Sequence, residues 1–182
     1  MPKITILASD LIYRNPTPHL CSKHAYYPSV AKLSNGSLLA SFVIGSAMES
    51  IDCQVFLCRS KDHGRTWSSP WALRNKPEHW TENSRITHLR DGRIVLLLSE
   101  TERSDPSVGA VDPADLGHAP NRFSWWQSVE GGKTWDQPIP IVTPLSSPFF
   151  ELCSPVVELD DGRLLLPTST WRGRNGDEST PM

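Results

Sequence analysis

The chain has 182 residues, a formal net charge of −2 and 38% hydrophobic residues. That length suits one ordinary domain with a sizeable core, and the charge balance predicts no nucleic-acid partner. No apolar run approaches the ~18 residues of a membrane span, so no membrane partner is expected. The N-terminus lacks the ~7–15 apolar residues of a secretory signal. A cytoplasmic location is therefore expected for the chain as given, while an extracellular or periplasmic one stays open if the N-terminus is incomplete.

The chain contains four cysteines, at positions 21, 53, 58 and 153, which could in principle form a metal site. They form no C-x-x-C pair, and their spacing does not suit a metal site, so neither a metal nor a cofactor is expected. Free cysteine behaves as a small hydrophobe, which predicts reduced and mostly buried thiols. Cys53 and Cys58 are five positions apart, and this spacing places them on opposite faces of a strand.

Short apolar runs separated by turn residues fill the chain, which contains 16 prolines and 11 glycines. No window shows the spacing of an amphipathic helix, so an all-β fold is predicted. Three segments, at 29–40, 85–96 and 155–166, share one pattern: a strand, a tight turn and a more apolar strand. The turn dipeptides are Asn35-Gly36, Asp91-Gly92 and Asp161-Gly162. Asn-Gly and Asp-Gly supply the positive φ that a hairpin turn requires, and the apolar second strands suggest burial on both faces.

A second repeat follows the first two hairpins. It runs from Ser60 to Trp67 and again from Ser128 to Trp135, each time after one strand-like run and before another. Hairpin and second repeat together make a unit of four antiparallel strands in ~55–70 residues, which is typical of one propeller blade.

The residues of this second repeat carry a family resemblance. Ser60 to Trp67 matches the Asp-box signature Ser-x-Asp-x-Gly-x-Thr-Trp at every fixed position, and the second copy departs from it only by Glu130 at the acidic position. On these motifs the chain resembles the sialidase-like β-propeller superfamily, also called the neuraminidase or BNR-repeat superfamily. The resemblance implies a structural box, in which the acid and hydroxyl accept turn N–H groups, the glycine is left-handed and the tryptophan ring packs beneath. The residues in question are Ser60, Asp62, Gly64, Thr66, Trp67, Ser128, Glu130, Gly132, Thr134 and Trp135.

The resemblance also implies an incomplete propeller. A single domain over 1–182 is expected, with one blade at about 27–75, a second at about 83–143 and part of a third at about 153–182. Propellers of this family have six blades, and a third Asp box would fall past Met182. The chain is thus expected to be a fragment of a protein about twice as long, able to self-associate through its open sheet edges.

Strand alternation predicts where a binding site lies. The hairpin turns and the Asp boxes share one face of the disc, and the long connections between second and third strands collect on the other, where ligands bind in propellers. Glu49 and Asp52 are the candidate catalytic residues there. The candidate substrate-binding residues are His24, Tyr26, Tyr27, Arg85, Glu151 and Arg172. The alternative to a functional role is that the two acids are solvated loop carboxylates and that the other residues only pack at the strand ends.

Sialidases grip a carboxylate with an arginine cluster and use a carboxylic acid and a Tyr–Glu nucleophile pair. The first arginine is expected at the position of Tyr26, two residues before Pro28, and no arginine occupies 44–47, where the second is expected. The acid falls at or near Glu49. The chain is therefore predicted to be a sialidase-like glycoside hydrolase acting on a carbohydrate, but not a true sialidase. The alternative is a non-catalytic propeller that binds carbohydrate or protein.

Overall fold

The computed structural model describes residues 4–6, 9–178 and 180–181. Two four-stranded antiparallel sheets dominate it, each with its strands paired in chain order. The first sheet contains β1 (His24–Lys32), β2 (Leu38–Gly45), β3 (Gln54–Ser60) and β4 (Trp71–Ala72). The second contains β5 (Trp80–His88), β6 (Ile94–Glu102), β7 (Asn121–Ser128) and β8 (Ile139–Pro140). The all-β prediction and the four-stranded repeat are confirmed.

The two sheets begin at His24 and Trp80. The pairing of β1 with β2 has an irregularity between Tyr26 and Ser29, where Tyr27 has a φ of 53°. Pro28 lies within this bulge, and it has no N–H to donate to the strand pairing.

The third repeat forms shorter strand pairs. Two of them make a broken hairpin, in which β11 pairs with β12 and β10 with β13. The remaining pair joins β9 to β14, and a 3₁₀ turn precedes β14. The bounds are β9 (Leu145–Ser146), β10 (Phe149–Glu151), β11 (Val157–Glu158), β12 (Leu164–Leu165), β13 (Ser169–Trp171), the 3₁₀ turn (Arg174–Gly176) and β14 (Thr180–Pro181). The described residues thus form two four-stranded sheets followed by three two-stranded pairs.

The hairpin turns are equivalent in all three repeats. Gly36, Gly92 and Gly162 have φ values of 80°, 90° and 84°, in the left-handed region that glycine adopts without strain. The residue before each glycine accepts a hydrogen bond from the backbone N–H two positions later, at 3.0 Å in every case. Local chemistry is enough to fix these turns.

The core lies between the sheets. β6 is buried on both faces, as its apolar sequence predicted, whereas the same expectation was wrong for β12, whose two leucines are exposed. One face packs against the first sheet in a cluster of Leu39, Val43, Val55, Leu57, Ile86, Ile94, Leu96 and Leu98. The other packs against the third repeat in a cluster of Leu89, Val95, Leu97, Phe123, Phe150, Leu152 and Val156. Face-to-face stacking of sheets holds the three repeats together.

The cysteines are unpaired; Cys53, directly before β3, and Cys58, within it, pack into different hydrophobic clusters. The expectation of mostly buried thiols was wrong for two of the four, since Cys21 and Cys153 are exposed. Both lie in irregular segments beside a strand rather than within one. No helix in the described part of the chain is long and apolar enough to cross a membrane.

Candidate functional site

The Asp boxes lie at the opposite ends of the strands from Glu49 and Asp52. These two acids precede β3, whereas Asp62 follows it, and a seven-residue strand spans roughly 20 Å. The side chain of Arg59 in β3 donates to the carbonyl of Gly131, which joins the first blade to the second Asp box.

The first Asp box is a hydrogen-bonded turn. The Ser60 hydroxyl accepts the N–H of Gly64 at 2.8 Å, and the Asp62 carboxylate accepts both the N–H of Thr66 at 2.9 Å and its hydroxyl at 2.6 Å. Hydrogen bonds from Thr66 and then from Ser60 lower the pKa of Asp62 to about 2. Trp67 packs beside Phe42 and Cys58. All of these contacts are internal to the fold.

The second box is similar but makes two side-chain hydrogen bonds fewer, because its acid accepts neither the serine hydroxyl nor the threonine N–H that Asp62 accepts. Ser128 accepts the N–H of Gly132 at 2.9 Å, and Glu130 accepts the hydroxyl of Thr134 at 2.9 Å. Within the described residues, Glu130 does not also accept the N–H of Thr134. The longer side chain places its carboxylate beyond that donor. Trp135 packs on the core between the two blades.

At the other end of the sheets, a cavity of about 150 Å³ opens where the three repeats meet. We call it the loop-side cavity. Its polar lining includes Tyr27, Glu49, Asn83, Arg85 and Glu151, and its aromatic lining includes His118, Phe149 and Trp171. Four of the eight residues predicted from sequence to bind or act on a ligand, namely Tyr27, Glu49, Arg85 and Glu151, therefore meet in one place.

Glu49 occupies this cavity because its loop is held in an uncommon conformation. Its φ is 58°, which a residue with a side chain rarely adopts. The buried guanidinium of Arg103 donates to the Glu49 carbonyl at 2.7 Å and to the Val108 carbonyl at 2.7 Å. One carboxylate oxygen of Glu49 accepts the Tyr27 hydroxyl at 3.3 Å. Its other oxygen has no hydrogen-bond partner among the described residues.

Tyr27 and Arg85 lie against each other on the cavity wall. Burial, and then the charge of Glu49, raise the pKa of Tyr27, so the phenol stays protonated and donates its hydrogen bond. The Arg85 guanidinium lies 5.9 Å from the Tyr27 ring centroid. Its Nη1 donates to Asn83 Oδ1 and to the Ser84 carbonyl, while Nε and Nη2 have no acceptor in the described part of the chain. The N–H groups of Arg85 Nε and Nη2 are therefore available to a ligand.

Glu151 is held by the third repeat. Its Oε2 accepts the indole N–H of Trp171 at 2.9 Å and the Ser169 hydroxyl at 3.1 Å. Oε1 accepts from no described residue. The cavity thus presents two unoccupied carboxylate oxygens, one from Glu49 and one from Glu151, together with the donors of Arg85.

The structure places Asp52 outside the loop-side cavity. It is ion-paired with Lys23 and accepts hydrogen bonds from the N–H and hydroxyl of Ser46 and from the Ser50 hydroxyl. Burial would raise the pKa of Asp52, but the bonds from Lys23, Ser50 and Ser46 outweigh burial and lower it below its ordinary value. Asp52 organises the loop that carries Glu49.

The other three predicted residues also lie elsewhere. His24 is exposed and hydrogen-bonded to Ser22 at 2.7 Å, and Tyr26 is half-buried against the core. Arg172 is exposed, and its carbonyl accepts the N–H of His118 at 3.0 Å. None of the three lines the cavity.

A buried ionic cluster lies next to the cavity. Arg74 pairs with both Glu82 and Glu100, whose exposures are only 1% and 3%. Glu82 also accepts the N–H of Val55 at 2.8 Å, so the cluster joins the two blades. Sequence reasoning missed Arg74, because nothing local indicates that an arginine just after a two-residue strand is half-buried against two glutamates.

Comparison with solved structures yields matches, although neither a protein-family model nor a curated protein matches the sequence. The chain is similar to a Hadza microbial sialidase at 17% identity and a TM-score of 0.58, over 77% of this chain and 31% of that one. It is similar to a Dyadobacter fermentans protein of unknown function at 20% identity and a TM-score of 0.61, over 84% of this chain and 47% of that one. It is similar to the NanB sialidase of Streptococcus pneumoniae at 12% identity and a TM-score of 0.56, over 95% of this chain and 46% of that one.

The chain therefore spans less than half the length of each of these structures. At such identities the likeness concerns the backbone. The stacked four-stranded sheets, the repeated glycine turns and the hydrogen-bonded Asp boxes agree with this likeness. The chain has the sialidase-like β-propeller fold.

Proposed function

We propose that the chain contributes the loop-side cavity of a glycoside hydrolase that acts on a carbohydrate other than sialic acid. The single observation that carries the proposal is the meeting of Glu49, hydrogen-bonded to Tyr27, with Arg85 and Glu151 in one cavity. Convergent polar groups in a cavity on a rigid scaffold are the usual mark of a ligand site.

Glu49 is assigned the proton-transfer role. A glycosidic bond is hydrolysed when a carboxylic acid protonates the leaving oxygen and water, directly or after an enzyme nucleophile, adds to the anomeric carbon. Glu49 keeps one carboxyl oxygen available for the proton transfer. Arg103 fixes the backbone of Glu49, and the Tyr27 hydroxyl orients its side chain. Arg85 and Glu151 are assigned the binding of substrate hydroxyls.

The number of arginines in the cavity is our reason for proposing that the protein lacks sialidase activity. Recognition of the sialic acid carboxylate in this family uses a cluster of guanidinium groups. Among the described residues that line the cavity, Arg85 is the single arginine, and Tyr26 stands where the resemblance expects another.

The test is the turnover of a panel of methyl glycosides and disaccharides, whose alcohol leaving groups require protonation, by the whole protein and by its Glu49→Gln variant. Loss of general acid catalysis predicts a kcat about 10²–10⁴-fold lower, with ligand affinity retained. Glu78→Gln is the matched control, since Glu78 is exposed and outside the cavity. Equal turnover by Glu49→Gln and the parent protein would remove Glu49 from the chemistry.

A non-catalytic binding propeller is the second candidate. The engagement of Asp52 by Lys23 and two serines favours it, because one of the two predicted catalytic carboxylates is then committed to the loop. Sugar binding without turnover of any glycoside of the panel would select this candidate.

A further inference from the structure

The ring of Trp171 is a fixed and accessible surface in the loop-side cavity. It is 49% exposed, although tryptophan rings are usually well covered. Its indole N–H is held at 2.9 Å by Glu151, and β13 pairs Trp171 with Phe149 of β10. The ring is therefore held in place by its polar edge, and half of its surface remains uncovered.

A long connection completes an aromatic wall around this ring. The segment 103–120 brings His118 to 4.4 Å from the Phe149 ring centroid and 5.5 Å from that of Trp171. Its backbone approaches so closely that a Cβ on Gly117 would lie 2.5 Å from the carbonyl oxygen of Gly173. The connection is thus tied to the third repeat.

The fixed charges in the cavity are predominantly negative. Glu151 and the ionised form of Glu49 contribute two carboxylates, against the one guanidinium of Arg85, counting histidine as neutral. Glu82 also lines the cavity but is paired with Arg74. A ligand carboxylate would meet more like charge than opposite charge, and like charges close together cost free energy. Hydroxyl groups avoid that cost, since they donate to carboxylates and accept from a guanidinium.

We propose that the cavity takes one uncharged pyranose ring, stacked on Trp171, with its hydroxyls hydrogen-bonded to Glu151 Oε1 and to the open N–H edges of Arg85. This inference rests on the proposed function and names its substrate class. The C–H face of such a sugar is apolar and covers the exposed indole, while its edge is polar. A volume of about 150 Å³ is below the roughly 300–1,000 Å³ of sites for drug-sized ligands, which suits a single ring.

The inference is tested by calorimetric titration of the whole protein with methyl glycosides of neutral hexoses, with glucuronic acid and with N-acetylneuraminic acid. Neutral glycosides are expected to bind at least tenfold more tightly than either acid. Trp171→Ala should weaken neutral binding roughly tenfold, and Trp171→Phe should weaken it less, since a smaller aromatic face remains. Trp80→Ala is the control, because Trp80 packs on Arg122 outside the cavity.

Charge gives a readout that a structural role of Trp171 would not produce. Glu151→Gln should shift the selectivity toward the acidic sugars, because it removes one of the two unpaired carboxylates. Tighter binding of an acid by the parent protein, or no binding of any neutral glycoside, would overturn the inference. Turnover of an aryl uronide in preference to neutral glycosides would overturn it while leaving the hydrolase proposal standing. Neutral binding without any turnover would support it and remove the hydrolase proposal.

Discussion

The guanidinium of Arg103 donates a 2.7 Å hydrogen bond to the backbone carbonyl of Glu49, 54 positions away in the sequence. Arg103 begins the long connection of the second blade, and Glu49 belongs to the corresponding connection of the first. One buried cation thus positions two loops, and the position of the candidate catalytic carboxylate depends on the packing between blades.

Arg103→Lys is expected to lower the free energy of unfolding by about 2 kcal/mol, because one ammonium cannot reproduce the forked contacts to two carbonyls. Ligand affinity at the loop-side cavity should fall as well. Denaturant unfolding checks the stability, with Arg65→Lys, at an exposed arginine, as the control. An unchanged midpoint would show that the loop holds its conformation without Arg103.

Arg74→Met is expected to cost about 3 kcal/mol, since it leaves the buried Glu82 without its cation, while Glu100 keeps its pair with Arg122. Arg163→Met is the matched comparison, because Arg163 pairs with Asp161 at the surface, and its loss should cost under about 1 kcal/mol. Similar costs for the two variants in urea unfolding would argue against the cluster as a link between blades.

Asp62→Asn tests the first Asp box through pH. The pKa of Asp62 falls from 3.8 to about 2 on folding, so its stabilising effect is complete above pH 3.8 and is lost as the pH falls through about 2. The variant should melt below the parent protein at pH 6, and the gap should close between about pH 4 and pH 2. A constant gap in circular-dichroism melts would mean that the carboxylate charge has no part in the turn.

Exchanging the two acids tests why the boxes differ. Glu130→Asp should let the carboxylate accept the N–H of Thr134 and raise the stability by about 0.5–1.5 kcal/mol, whereas Asp62→Glu should lower it by a similar amount. Denaturant midpoints of the two single variants provide the measurement. Effects of the same sign would show that side-chain length does not decide the geometry.

The features that the sequence predicted depend on local chemistry. The left-handed glycines at 36, 92 and 162 and the serine–threonine turn of each Asp box need only neighbours within a few residues. The composition of the loop-side cavity does not. Trp171 enters it through pairing with Phe149, and His118 enters it through the docking of a long connection on the third repeat.

The same reason explains why the sequence did not separate Glu49 from Asp52. Both are loop acids three positions apart, and only the three-dimensional positions of Lys23 and Tyr27 commit Asp52 to the loop and direct Glu49 to the cavity. Pro28 is a sequence sign of the bulge at Tyr27, but nothing in the sequence shows that the bulge turns the phenol toward Glu49.

The most direct test of the account compares the kcat/KM of the whole protein for aryl glycosides of neutral hexoses with that for an aryl glycoside of N-acetylneuraminic acid, side by side. Measurable turnover of a neutral glycoside and no release of sialic acid are expected, because one arginine among two carboxylates without a cation partner cannot hold the sialic carboxylate. Preferential hydrolysis of the sialoside would contradict this expectation.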